Sequence, residues 1–242
     1  MRTALTYILT LAFAVLAVPA LAQNDAEDLP RVLVIGDSVY SQNVRGLGGL
    51  LEGQTRVNVV SAPNDVVLNS TTILEQLDTM LGDGDWDVIH FNVGLGDLVH
   101  RAPNMDSFRI MPIHVGGVIA TSTERYEANL RLLVARLKET EAVLVWANTT
   151  PIRHSTSNVF EMGTEITYNE IAARVMDDEG VRINDMYTFA RDRMDMDRPA
   201  GHGADPFHFR DIPLDQQVAY SVLTALELPA DPPPAPEAET EQ

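Results

Sequence analysis

Four short apolar runs constrain this chain more than anything else in it. "RVLVI" (31–35), "VNVV" (57–60), "DVIHFN" (87–92) and "AVLVWAN" (142–148) carry apolar side chains at successive positions more than at alternate ones. Such runs fit strands of a parallel sheet covered on both faces. "VRIND" (181–185) is a shorter fifth candidate. Helical patterns fall between them: "STTILEQLDTML" (70–81), "STERYEANLRLLVARLKET" (122–140), "EITYNEIAARVMDDEG" (165–180) and "PLDQQVAYSVLTAL" (213–226). Thr121 and Glu124 have the spacing of a capping box before the second of these, and Gly180 is placed as the C-cap of the third. Strand and helix alternate, which predicts a doubly wound α/β sandwich with a mostly parallel five-stranded sheet.

The two ends stand apart from this pattern. Arg2 is followed by "ALTYILTLAFAVLAVPALA", which closes on Ala20-Leu21-Ala22. That order of charge, apolar core and small-residue site reads as a signal peptide over residues 1–22. The alternative is an uncleaved membrane anchor, which Pro19 and the A-x-A site speak against. Residues 23–30 form a short linker, and 31–228 are long enough for one domain with its own core. The last stretch, "PADPPPAPEAETEQ" (229–242), is proline-rich and acidic, with too little apolar surface to offset ordering, and reads as a disordered tail. The expected location is secreted or periplasmic, with no stable membrane insertion once the leader is removed.

There is no cysteine, so thiol catalysis and thiolate metal sites are excluded. The formal net charge of -18 repels nucleic acid and anionic membranes at long range. The histidines His100, His114, His154 and His202 lack metal-ligand spacing. His90 lies inside a strand run and reads as a packed, hydrogen-bonded core residue, and Trp86 and Trp146 read as core.

In open α/β sheets, ligands sit beyond the carboxyl ends of the strands. Gly36-Asp37-Ser38 follows the first run directly, and Asn92-Val93-Gly94 ends the third. Near the far end stands "GADPFHFRD", with Asp205 and His208 three apart around Pro206. A serine hydroxyl becomes a useful nucleophile when a histidine takes its proton and a carboxylate orients that histidine. Ser38, His208 and Asp205 have those chemistries, placed just after the first strand and just before the last helix. Asp37 reads as the residue that fixes the turn. Residues 99–121 show no periodicity and are long for a connection.

These blocks resemble the SGNH, or GDSL-type, hydrolase family over most of residues 31 to 226. Gly36-Asp37-Ser38 is similar to its nucleophile block, Asp205-Pro206-Phe207-His208 to its Asp/His block, and "WDVIHFNVGLGDL" (86–98) to its third block, G-x-N-D. The resemblance implies a flavodoxin-like three-layer sandwich and ester hydrolysis, with Ser38 as nucleophile, His208 as general base and Asp205 as its orienter. No cofactor and no metal are implied. The substrate would be a small acyl ester, such as an acetyl group on a carbohydrate. A lipid-acyl hydrolase and a non-catalytic glycan-binding protein on the same scaffold are the alternatives.

Two departures bear on the oxyanion hole, which the resemblance assigns to Ser38, Asn69 and the position of Gly96. Glycine stands at 96, where the family pattern has asparagine, so a side-chain donor is missing. Asn69, at the start of the helix after the second strand, is the match to the second block, where the family pattern has glycine, and would still give a backbone N–H. Asn92 and Arg153 are further candidates for contacting substrate at the same edge. On this reading Gly96→Asn should add a donor and raise turnover, since one oxyanion donor is worth roughly 10²–10³ in rate.

Overall fold

The computed structural model describes residues 28–61, 67–105, 108–153, 158–197, 209 and 212–236. In chain order the elements are β1 (Arg31–Ile35), α1 (Ser38–Asn43), α2 (Leu47–Leu50), β2 (Arg56–Val60), α3 (Ser70–Leu81), β3 (Val88–Phe91), α4 (Leu95–Leu98), β4 (His100–Arg101), β5 (Val118–Ile119), α5 (Thr123–Lys138), β6 (Val143–Ala147), α6 (Thr164–Asp178), β7 (Arg182–Asn184), α7 (Met186–Arg191) and α8 (Leu214–Ala225). Five strands form one parallel sheet in the order β2-β1-β3-β6-β7. The chain runs outward from β1 to β2 and returns to β3 on the other side of β1. The order therefore reverses between β1 and β3, and a crevice for ligands forms at such a switch point.

The buried runs behave as their composition requires. Val32, Leu33, Val34 and Ile35 are fully buried, as are Val88, Ile89, Phe91 and Trp146. Burying each side chain of this size stabilises the fold by roughly 1.5–3 kcal/mol. Leu130, Leu133, Val134 and Leu137 of α5 and Ile171, Ala172, Val175 and Met176 of α6 cover the sheet with apolar faces at helical spacing. β2 departs from expectation. It is an edge strand whose residues are exposed or half-buried, so its valines are not covered on both faces. The α5 cap also differs. Ser122, not Thr121, is the N-cap, and its hydroxyl accepts from Arg125 N. Gly180 has φ +65°, as a C-terminal glycine stop requires.

The aperiodic stretch 99–121 is an ordered excursion. β4 and β5 pair antiparallel, and a 3₁₀ turn covers Ile113–Val115. His100 N and Ile113 N bond Val159 O and Asn158 O, which ties the excursion to the loop after β6. It carries Met105, Phe108, Ile110, Val115 and Val118 exposed to solvent. Among the described residues, 229–236 have no regular secondary structure, and Arg193 Nη2 donates to Pro234 O at 2.6 Å. The leader over 1–22, most of the linker and residues 237–242 lie outside the described residues. No helix among the described residues is long and apolar enough to cross a membrane.

Candidate active site

The turn after β1 is built by three consecutive residues. A Cβ on Gly36 would stand 2.4 Å from Tyr40 Cδ1, so only glycine lets the Tyr40 ring fold back across the strand end. Asp37 is the N-cap of α1. Its Oδ1 accepts from Val39 N and Tyr40 N, each at 2.8 Å. Burial pushes the Asp37 carboxyl up from its ordinary value, and those two bonds pull it part of the way back. Ser38 is then the first residue of α1 and is exposed. Its N–H belongs to the first helical turn, whose amides have no acceptor within the helix, and it meets none among the described residues.

A buried polar chain runs beneath this turn. Gln217 Nε2 of α8 donates to Asn184 Oδ1 at 2.8 Å, and Asn184 Nδ2 donates to His90 Nε2 at 3.1 Å. That leaves the His90 Nδ1–H to donate to Tyr40 Oη, 3.2 Å away. Burial pushes His90 down to about 3, so the ring is neutral, as one donor and one acceptor nitrogen demand. The strand histidine is a hydrogen-bonded core residue, and it couples α8 to the helix that carries Ser38.

On the other side of the switch point, Asn69 caps α3. Its Oδ1 accepts from Thr71 N and Thr72 N, and its own N–H donates to Thr72 Oγ1 at 2.9 Å. That N–H is therefore engaged within a capping box. Gly96 lies buried in α4, where a Cβ would stand 2.1 Å from Leu68 O. The position is glycine because α4 and the 67–69 segment touch there, and asparagine does not fit without moving backbone. Asn92 is buried, with Nδ2 donating to Ala147 O at 2.9 Å, so its amide joins the ends of β3 and β6. Thr149 follows β6. Asn169 brackets its backbone, accepting from Thr149 N and donating to Thr149 O, while its buried Oγ1 meets no partner. Arg153 is half-buried in the same loop.

Asp97 follows Gly96 at the last position of the third block. It is fully buried, and its carboxylate accepts from Ser70 N at 2.9 and 3.1 Å and from Ser70 Oγ at 2.7 Å. Burial raises it to about 6, against the lowering effect of its bonds from Ser70 and Thr121. Its place in the third block was a signal, but its partner lies 27 residues away.

Asp205 and His208 lie outside the described residues. Phe209, the residue after His208, is described. It is buried and lines a cavity of about 20 Å³ together with Asp37, Val39, Tyr40, Asn92 and Thr149. It also lines a pocket of about 880 Å³ shared by Asn43, Arg45, Arg193, Asp215 and Pro234.

A parallel five-stranded sheet, with a serine starting a helix at the switch point, makes an α/β scaffold. Solved structures share it. The chain superposes on an acetyl xylan esterase, AlAXEase, with TM-score 0.55 and 16% identity over 78% of this chain and 98% of that one. A lipase/acylhydrolase from Enterococcus faecalis gives TM-score 0.56 and 11% identity over 84% and 99%. A GDSL-like lipase from Bacteroides thetaiotaomicron gives 0.54 and 11% over 85% and 93%. The chain thus has the fold of the GDSL-type hydrolases, the family its sequence blocks resemble. No protein-family model matches the chain, and no curated protein matches it in sequence.

Proposed function

We propose that this chain is an exported serine esterase that hydrolyses a small acyl ester. Ser38 is the nucleophile, His208 the general base and Asp205 the orienter of His208. The observation that carries the reading is Phe209. It lines a cavity together with Asp37 and Val39, the two neighbours of Ser38, and His208 precedes it by one residue. His208 takes the Ser38 Oγ proton as the oxygen attacks the acyl carbon, then passes it to the leaving alkoxide. Water hydrolyses the acyl-enzyme by the same steps in reverse. The Ser38 N–H faces the developing oxyanion. Gly96 offers no side chain, and the Asn69 N–H is already bonded to Thr72 Oγ1, so turnover is slow for the fold, each missing donor costing roughly 10²–10³.

An acetyl ester of a carbohydrate is the substrate class. A similar structure is named as an acetyl xylan esterase, and the N-terminal leader would place the protein where polysaccharides are met. The same donor shortage favours a second reading, a glycan-binding protein without turnover. One assay separates them. Wild type should release acetate from a short-chain aryl acetate and from acetylated xylan, with kcat/KM rising with pH through the imidazole range near 6.5. Folded Ser38→Ala should release none. Equal release by both proteins would sink the nucleophile assignment, and saturable glycan binding without release by either would favour the binder.

A further inference from the structure

The residue after Gly96 does something that the nucleophile chemistry leaves unexplained. A carboxylate with no exposed surface is costly to bury, and among the described residues no cation pairs with Asp97. The titratable groups that face it are the phenols of Tyr126 on α5 and Tyr168 on α6, with the exposed Glu124 beyond Tyr168. All its compensation comes from hydrogen bonds. Ser70 supplies both its N–H and its hydroxyl, and Thr121 supplies its side chain. Ser70 Oγ in turn accepts from Asn129 Nδ2 at 2.9 Å, and the same amide donates to Thr71 Oγ1 at 3.0 Å. Gly96, one residue earlier, lies directly against Leu68 O. Two consecutive residues of α4 therefore contact residues 68 and 70, while Asn129 of α5 bonds residues 70 and 71.

We propose that Asp97 is a positioning residue: its buried carboxylate holds the Asn69–Ser70 turn at the carboxyl edge of the sheet, and turnover at Ser38 depends on that grip. The proposal rests on the esterase reading for its second half only. The third block of this chain has lost a donor side chain at Gly96 and works through Asp97 as a clamp on the second block.

The test uses the full chain and two readouts. The first is amide hydrogen exchange at Ser70, expressed as protection relative to the intrinsic rate. In wild type the Ser70 amide should be protected, as Ile89 in β3 is. In Asp97→Asn protection at Ser70 should fall roughly tenfold while Ile89 stays protected. The second is aryl acetate hydrolysis, in which Asp97→Asn should lose kcat by roughly 10–100-fold with KM little changed, since misplacing the site by about an ångström carries that cost. Unchanged Ser70 protection in a folded Asp97→Asn overturns the clamp. Lost protection with unchanged kcat overturns the positioning role and leaves the esterase reading intact. A wild type that turns over no ester removes the second half with the esterase reading, and exchange alone then decides the clamp. If Asp97→Asn does not fold, Ser70→Ala decides the clamp, since it removes one of its bonds and keeps the amide. Protection at residue 70 that is the same in Ser70→Ala as in wild type then overturns it.

Discussion

Gly96→Ala isolates the contact that sets the third block of this chain apart from the family pattern it resembles. The added Cβ would stand 2.1 Å from Leu68 O and 2.8 Å from Leu68 C. Relief requires a shift of about 1 Å between α4 and residue 68, because heavy atoms in a packed interior do not approach so closely. Residue 68 cannot yield freely. The next residue is locked in the Asn69–Thr72 capping box, and the one after it is bonded to Asp97. Overpacking of this kind costs about 1–3 kcal/mol, and the rigid neighbours put this case near 3. Alanine recovers about 1 kcal/mol through its better helix propensity. The net loss is about 2 kcal/mol, or roughly 4–8 °C in Tm for a domain of this size. Thermal and urea unfolding measure it. Gly96→Asn should lose at least as much stability, and its kcat should fall rather than rise, because the displaced turn outweighs any added donor. A Gly96→Ala protein as stable as wild type would refute the contact, and with it the reason given for glycine at this position.

Tyr40→Phe should destabilise the fold by about 1–3 kcal/mol, because it leaves the His90 Nδ1–H buried without an acceptor; unfolding curves overlaying wild type would show that the bond contributes nothing. Two of the buried titratable groups predict opposing pH dependences. His90, pushed down to about 3, takes up a proton on unfolding anywhere between there and 6.5, so its contribution is lost as pH falls through that window. Asp97, raised to about 6, holds a proton in the native state that the unfolded carboxyl loses above 3.8, so its contribution is lost as pH rises from 3.8 to 6. Each slope is at most about 1.4 kcal/mol per pH unit, so they largely cancel between pH 4 and 6, and Asp97→Asn should show stability rising with pH more steeply than wild type; equal slopes in urea titrations would count against the Asp97 assignment.

What could be read from sequence divides by the range of the interactions. β1, β3 and β6 announce themselves because both faces are buried, so composition alone marks them. β2 has the same valines but lies at the sheet edge, and nothing local distinguishes an edge from a centre. The 12-residue α3, the 16-residue α5 and the 15-residue α6 have room to display a 3.6-residue period. α1, α2, α4 and α7 run four to six residues and do not. β4 and β5, at two residues each, hide inside an apparently aperiodic stretch for the same reason.

The site divides the same way. Asp37 could be assigned to the turn because its partners are two and three residues ahead. The grip of Asp97 on Ser70, the bond of His90 to Tyr40 and that of His90 to Asn184 span 27, 50 and 94 residues. No spacing rule reaches them, because each depends on which strand ends the sheet order brings together. Gly96 is the sharpest case. As a letter in a motif, glycine there reads as a lost donor and a weakened enzyme. In the fold, the absent side chain is what allows Leu68 O to approach, and the neighbouring carboxylate then reaches Ser70. A residue that departs from a family pattern is therefore judged by what occupies the space its side chain would have filled. Here that space holds the backbone of the second block, so the departure changes how the third block acts on the site: it holds the neighbouring turn in place and donates nothing from position 96.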